Sequence, residues 1–529
     1  MIDTTMWTKR NIWNNSYGEA VVRDGLQRQA HVSLLADGNF AGGFSTENPR
    51  TGDQLHYVMI TGNESCVCML DEEFQVLYKL RLGKGFNPTG PFQGAPLANG
   101  QIMMGAPGMP MLWGYTGSGF KVAEKTESSQ SIDFGTISVP DGLCVSWQGR
   151  VVIAARNALF FSDVLSPRSF LGANSHNAPG LVYFLKVSDF GMLFVGTSEG
   201  MYTVAADSVY AGEILQPVFQ KISEVPTKTF WQSSLTSKGP VTLSHKGIVN
   251  TSSLDAEELM LGDPTMPRSI GEPNHYVDFR GGRIFPTKEG PMVTLTPQSK
   301  SFLDNATGGR TILSVRVNER QGFFSWWEPS STRPTASTYT FSRFTNGFDF
   351  RGTLEDGDGR EFLMTHNMIY AVYGNVDHYI SSAIETVGEA RSPKNGTHIL
   401  GSIYGGVVTP PPANPVIRYV ITASDNVGSY QYISVRGVVK RSAPLSKGIP
   451  TMDDGISWYD VAPSAETSRY YEKTLQSIKH NFAERTQNPT VEIAVEGSGF
   501  RLGLTDVIAK GPGRERKVNG QTYNYTAVS

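Results

Sequence analysis

The chain has 529 residues, with 56 Gly, 30 Pro, 18% charged side chains and a formal net charge of −3. That length allows about two to four ordinary domains, or one large β-domain with additions, and abundant Gly and Pro with little charge favours short strands between turns. A near-neutral balance without a long basic block argues against general nucleic-acid binding; the most basic cluster, Arg514-Glu515-Arg516-Lys517, is interrupted by a carboxylate and reads as a solvated loop.

No apolar run approaches the roughly 20 residues of a membrane helix, so no membrane insertion by the chain itself is expected. The N-terminal MIDTTMWTKRNIWNNS has no apolar signal core, and folding in the cytosol is the expectation. Three cysteines are too few for a disulfide scaffold. Cys66 and Cys68, two apart on an apparent strand, face one side and read as small buried hydrophobes, as does Cys144.

In chain order, residues 1–50 show no regular period and are read as a weakly structured N-terminal arm. Strand signals begin with Tyr57–Ile60, Ser65–Leu70 and Phe74–Leu82. The Gly/Pro-rich loop Gly83–Gly100 follows, then a hairpin of Ile102–Gly105 with Met111–Tyr115. Val151–Ala155 and Leu159–Ser162 flank Arg156-Asn157-Ala158; Met192–Gly196 and Met201–Ala205 flank Ser198-Glu199-Gly200. Further pairs are Val241–Ser244 with Ile248–Thr251, Arg283–Pro286 with Met292–Thr296, Ile312–Val317 with Phe323–Trp327, and Glu361–Thr365 with Ile369–Tyr373. Hairpins of β-branched and aromatic residues recurring about every 35–50 residues have the spacing of propeller blades. The expected fold is all-β: an irregular β-propeller built of repeated hairpins over 51–409, with a large multi-sheet β-sandwich as the alternative. Pro410–Pro412, continued by Asn414-Pro415, mark a stiff linker at 410–415. Residues 416–529 read as a small β-sandwich-like domain, with 465–482 open between a helix and a strand pair.

Few motifs suggest chemistry. Gly196-Thr197-Ser198-Glu199-Gly200 matches G-x-S-x-G, yet a strand follows it where a nucleophile elbow needs a helix. Ser198 is therefore read as a turn residue. Asp356 and Asp358 could begin a cation loop, but Arg360 falls where a third ligand is needed. Asp453-Asp454-Gly455-Ile456-Ser457-Trp458 is similar to the turn repeated in sialidase propellers, in one copy. Gly83-Lys84-Gly85 lacks the spacing of a phosphate loop. His245 and His366 sit in turns, where solvent exposure is expected. Phe323-Phe324 and Trp326-Trp327 are expected in a core or a subunit interface. No catalytic, cofactor or metal residue is assigned, and the chain is not expected to be an enzyme.

One resemblance is more specific. Arg150 onward reads a strand, then Phe160-Phe161-Ser162-Asp163, then a turn with Pro167-Arg168-Ser169-Phe170. Later, Leu193-Phe194-Val195-Gly196-Thr197 leads through a turn to Gly200-Met201-Tyr202. This pattern resembles the tail nozzle, or tail-hub, β-propeller proteins of short-tailed bacteriophages, including those called packaged-DNA stabilisation proteins. Asp454–Trp458 and Phe500-Arg501-Leu502 look like that family's closing β-domain. The resemblance implies a structural component of the virion tail, made in the host cytoplasm. It implies a ring, usually of six copies, below the portal and its adaptor. Double-stranded DNA would pass through without sequence readout, and fibres or a needle would attach. Gly83–Gly100 and Glu328–Ser337 are then expected at subunit or partner contacts. The alternative function is a glycan-binding or glycan-cleaving propeller that recognises a receptor.

Overall fold

The short apolar runs between turns are strands in the computed structural model. The structure describes residues 8–14, 20–29, 38–123, 142–206, 216–244, 247–252, 257–261, 281–288, 290–295, 313–318, 323–327 and 349–373, and strands within 376–396, 416–438 and 490–523. No α-helix occurs among the described residues.

Among the described residues, six separate four-stranded antiparallel sheets form blades. The first holds Gly38–Glu47, Gln54–Gly62, Ser65–Leu70 and Val76–Gly83. The second holds Gln93–Pro96, Gln101–Gly105, Leu112–Tyr115 and Phe120–Val122. The third holds Leu143–Trp147, Arg150–Ala155, Ala158–Asp163 and Ser166–Asn177. The fourth holds Val182–Val187, Leu193–Thr197, Gly200–Ala205 and Val218–Ser223. The fifth holds Ser233–Thr236, Gly239–Leu243, Gly247–Asn250 and Glu257–Leu261. The closing blade holds Phe350–Glu355, Glu361–Thr365 and Ile369–Val372, with Leu26–Arg28 as its fourth strand.

Between the fifth and closing blades stands a further antiparallel run, Arg283–Phe285, Met292–Leu295, Leu313–Asn318 and Phe323–Trp327. The first strand of each unit packs on the first strand of the next, and Phe350–Glu355 returns to Gly38–Glu47. The chain is thus a closed β-propeller.

Packing between blades explains why the strands are so uniformly apolar. A blade buries both faces, one against each neighbour, so alternation is lost. Every residue of Ser65–Leu70 is buried: Val67 and Met69 join the core shared with the second blade, and Cys66, Cys68 and Leu70 join the core shared with the closing blade. Cys144 lies in the core between the second and third blades. All three cysteines are buried and free, as the sequence led us to expect.

Two domain expectations are corrected. Residues 1–50 are not merely an arm: Gly38–Glu47 is the innermost strand of the first blade, and Leu26–Arg28 pairs with Ile369–Val372. The described ring also ends at Val372, short of residue 409. Beyond it, Val387–Arg391 pairs with Thr490–Ser498, which pairs with Val416–Ser424, and that with Tyr430–Val438. This sheet is continuous with the propeller, because Thr8–Arg10 pairs with Val387–Arg391 on one side and meets Phe323–Trp327 on the other. The Pro-rich linker and residues 465–482 lie outside the described residues.

Candidate functional site

The first strands converge on a central cavity of about 980 Å³, counted with its open mouth. All ring positions contribute to its wall: Phe44, Gln93, Leu143, Lys186, Ser234, Phe285 and Arg351 come one from each. Part of the wall is aromatic, with Phe44 tilted on Phe92 at 5.4 Å and Tyr183 edge-on to Phe230 at 5.2 Å.

Its charged groups are few. Lys186 interrupts the otherwise apolar Val182–Val187, is half-buried, and has no carboxylate partner among the described residues. Burial pushes its ammonium below the ordinary lysine range, with the nearby Cys144 opposing this. Burial likewise pushes the Cys144 thiol up to about 12, so Cys144 is a neutral neighbour whose Sγ lies 3.5 Å from the Gln93 carbonyl oxygen. Gln93 donates from Nε2 to the Leu185 carbonyl at 3.4 Å.

Elsewhere on the wall, Arg351 donates from Nη1 to the Phe40 carbonyl at 3.2 Å, tying the closing blade to the first. Its Nη2 reaches Asp349 Oδ2 at 3.2 Å, and Asp349 Oδ1 meets Arg283 Nη1 at 2.7 Å. One carboxylate thus serves two guanidinium groups. Among the described residues the acid that lines the cavity itself is Glu355, and it is exposed. The cavity therefore carries surplus positive charge on an aromatic surface, an arrangement that takes anions.

Of the motif residues singled out by sequence, Ser198, Asp356, Asp358 and His366 do not line this cavity. Ser198 sits in the turn between Leu193–Thr197 and Gly200–Ala205, where its Oγ accepts from Leu181 N at 3.1 Å. Thr197 Oγ1 accepts from Glu199 N at 3.0 Å and donates to the Pro179 or Gly200 carbonyl. Asp356 Oδ1 accepts from the backbone N–H groups of Asp358 and Arg360, and Oδ2 meets Arg360 Nε. The carboxylate closes a turn, and no metal-ligand cluster occurs among the described residues. His366 is half-buried rather than solvated, its pKa lowered by burial and by Arg351, with Asp349 acting against both. Its carbonyl accepts from Phe40 N at 2.8 Å.

The loop 83–100 is not a free excursion either. It supplies the strand Gln93–Pro96 and, with Pro91 and Phe92, part of the cavity wall. Residues 323–327 are the outermost strand of their unit and meet Thr8–Arg10 through Arg10 and Trp326. His245, Glu328–Ser337, Asp453–Trp458 and Arg514-Glu515 lie outside the described residues; Arg516 and Lys517 begin a short hairpin with Gln521–Tyr523.

Sequence reasoning missed Lys186, Gln93 and Arg351. A signal existed for Lys186: a single cation in the apolar run VYFLKV. Nothing local marks Gln93 or Arg351, because the ring closure is what brings them to one wall.

Fold and cavity together define the chain as a β-propeller protein. No protein family and no curated protein matches the sequence. Among solved structures, a streptogramin B lyase is similar at 12% identity and a TM-score of 0.37, over 66% of this chain and 97% of that one. The extracellular domain of a hybrid two-component system of B. thetaiotaomicron is similar at 11% identity and a TM-score of 0.40, over 81% of this chain and 57% of that one. YCF48 from Cyanidioschyzon merolae is similar at 9% identity and a TM-score of 0.34, over 66% of this chain and 99% of that one. At these values none of the three says what this chain binds or does.

Proposed function

We propose that the chain is a non-catalytic structural component of a short-tailed bacteriophage tail, of the nozzle or hub type. The observation that carries this reading is the use made of the motif residues in 149–206. Phe161 is core, and Ser162 Oγ accepts from Val151 N at 2.9 Å and donates to the Asp163 carbonyl. Asp163 Oδ2 accepts from Ser169 Oγ at 2.6 Å, and the fully buried Arg150 donates to the Ser162 carbonyl at 2.8 Å. The residues within 150–202 that carry the resemblance build two adjacent blades and are engaged in core packing and turn hydrogen bonds, which supports a structural reading. The ring of copies, the portal adaptor, the fibres and the passing DNA belong to the same proposal. A heterologous interface that closes would make the ring.

The test is assembly. The purified chain, alone and with portal and adaptor rings, is followed by light scattering and negative-stain imaging, and virions lacking it are assayed for genome retention. Rings that cap the adaptor, with leakage in their absence, are expected. A monomer at high concentration together with unchanged genome retention would sink the reading.

The second reading, a glycan-binding propeller, is favoured by one feature, the central cavity with its aromatic wall and unpaired lysine. Binding on a glycan array without ring assembly would favour it over the first.

A further inference from the structure

We infer that the central cavity is a binding site for a small organic acid, with Lys186 as the anchor for its carboxylate and the aromatic wall as the bed for its ring. The inference rests on the cavity being a ligand site, the second reading above, and adds the charge of the ligand.

Three observations carry it. The first is concavity: every ring position contributes residues to the wall of this open-mouthed cavity, so a ligand there meets several blades at once. A concave, mostly apolar site with a few placed polar groups is the usual form of a small-molecule site. The second is the charge balance. Lys186 has no carboxylate partner among the described residues, and Arg351 shares Asp349 with Arg283. A half-buried ammonium without a counter-ion is costly unless something neutralises it. A carboxylate arriving from solvent does so, and the charge-assisted hydrogen bond is strengthened where water is excluded. The third is the surface beside it. Tyr183, Phe230 and Trp231 line the cavity with Lys186, Tyr183 standing edge-on to Phe230, and aromatic residues there suit the body of an organic acid. Cys144 takes no covalent part, since it is wholly buried and its thiol is held protonated.

The experiment uses the full chain and ligand-observed NMR, with glucuronate, N-acetylneuraminate and benzoate as acids, and glucose and benzyl alcohol as neutral counterparts. At least one acid is expected to bind, with its neutral counterpart silent. Lys186→Met should weaken that acid about tenfold or more, as the loss of a charge-assisted bond predicts, while Lys186→Arg should stay within about threefold. Near-UV circular dichroism and urea unfolding confirm that both variants are folded. Binding of glucose or benzyl alcohol as tightly as the acids overturns the inference but leaves the ligand-site reading standing. Silence from all five probes overturns both. Equal binding of the acid to Lys186→Met shows that the anion lies elsewhere and also overturns the inference.

Discussion

Gln27 pairs with Ala371 in an antiparallel ladder, with Leu26 opposite Val372 and Arg28 opposite Tyr370. The ring is therefore closed by a segment that precedes every blade in the sequence. Leu26 is wholly buried and joins Phe285, Phe350 and Leu363 in one core cluster. Leu26→Ala should cost about 2–5 kcal/mol, the range for a large-to-small change in a packed core, read as a lower urea midpoint. Deleting residues 1–29 should do more, leaving the closing blade with an open edge and broadening the transition. A deletion that unfolds as the intact chain does would show that the strand is dispensable.

His56 lies flat on Phe74, with ring centroids 4.7 Å apart and an interplanar angle of 9°. Burial lowers its pKa from 6.5 to about 4, against weaker opposing effects of Asp356 and Asp71. Below pH 6.5 the unfolded chain takes up a proton that the folded chain refuses until about pH 4. Stability from this group is thus complete above pH 6.5 and falls as the pH drops towards 4, by on the order of 3 kcal/mol in all. Urea midpoints measured across that window should show the fall. His56→Gln, which keeps a polar group near Ser45 but cannot titrate, should flatten it.

Gly200 and Ser198 belong to one turn and should respond to substitution to different degrees. Gly200 has φ +138°, and a Cβ there would stand 2.3 Å from the Ser223 carbonyl oxygen. Gly200→Ala should cost about 2–3 kcal/mol through strain and collision. Ser198→Ala removes one half-exposed hydrogen bond and should cost no more than about 1 kcal/mol. Thermal denaturation of the two variants checks the contrast.

The cysteine thiols should be silent in the native protein. All three are buried, and Cys144 would need a pH near 12 to ionise. Reaction with a disulfide reagent at neutral pH should proceed only as fast as the chain opens, and should be immediate in denaturant. Rapid labelling of the folded protein would contradict the burial.

The fifth blade holds a chain of hydroxyls. Thr227 Oγ1 lies 3.0 Å from Ser233 Oγ, which lies 2.9 Å from Thr242 Oγ1, which lies 3.4 Å from Thr251 Oγ1. Thr242→Val keeps the shape and deprives two buried hydroxyls of a partner, a loss of about 1–3 kcal/mol. Restoring the midpoint by changing Ser233 and Thr251 as well would show that the network, and not the volume, sets the cost.

The hairpins were written in the sequence itself. Ser65–Leu70 and Glu361–Thr365 are found at the bounds read from composition and turns, because a strand's apolar content and the polar turn residues around it are local properties. So was the turn role of Ser198, since a strand followed where a nucleophile needs a helix. Which strands meet across hundreds of residues was decided only by the tertiary structure. Leu-Gln-Arg at 26–28 has no pattern to announce a ring-closing strand, and Thr8–Arg10 none to announce a link between two sheets. The cavity was hidden for the same reason. Lys186, Gln93 and Arg351 share a wall because blades pack face to face about one axis, and burial, which lowers the lysine's pKa, exists only once that ring has closed.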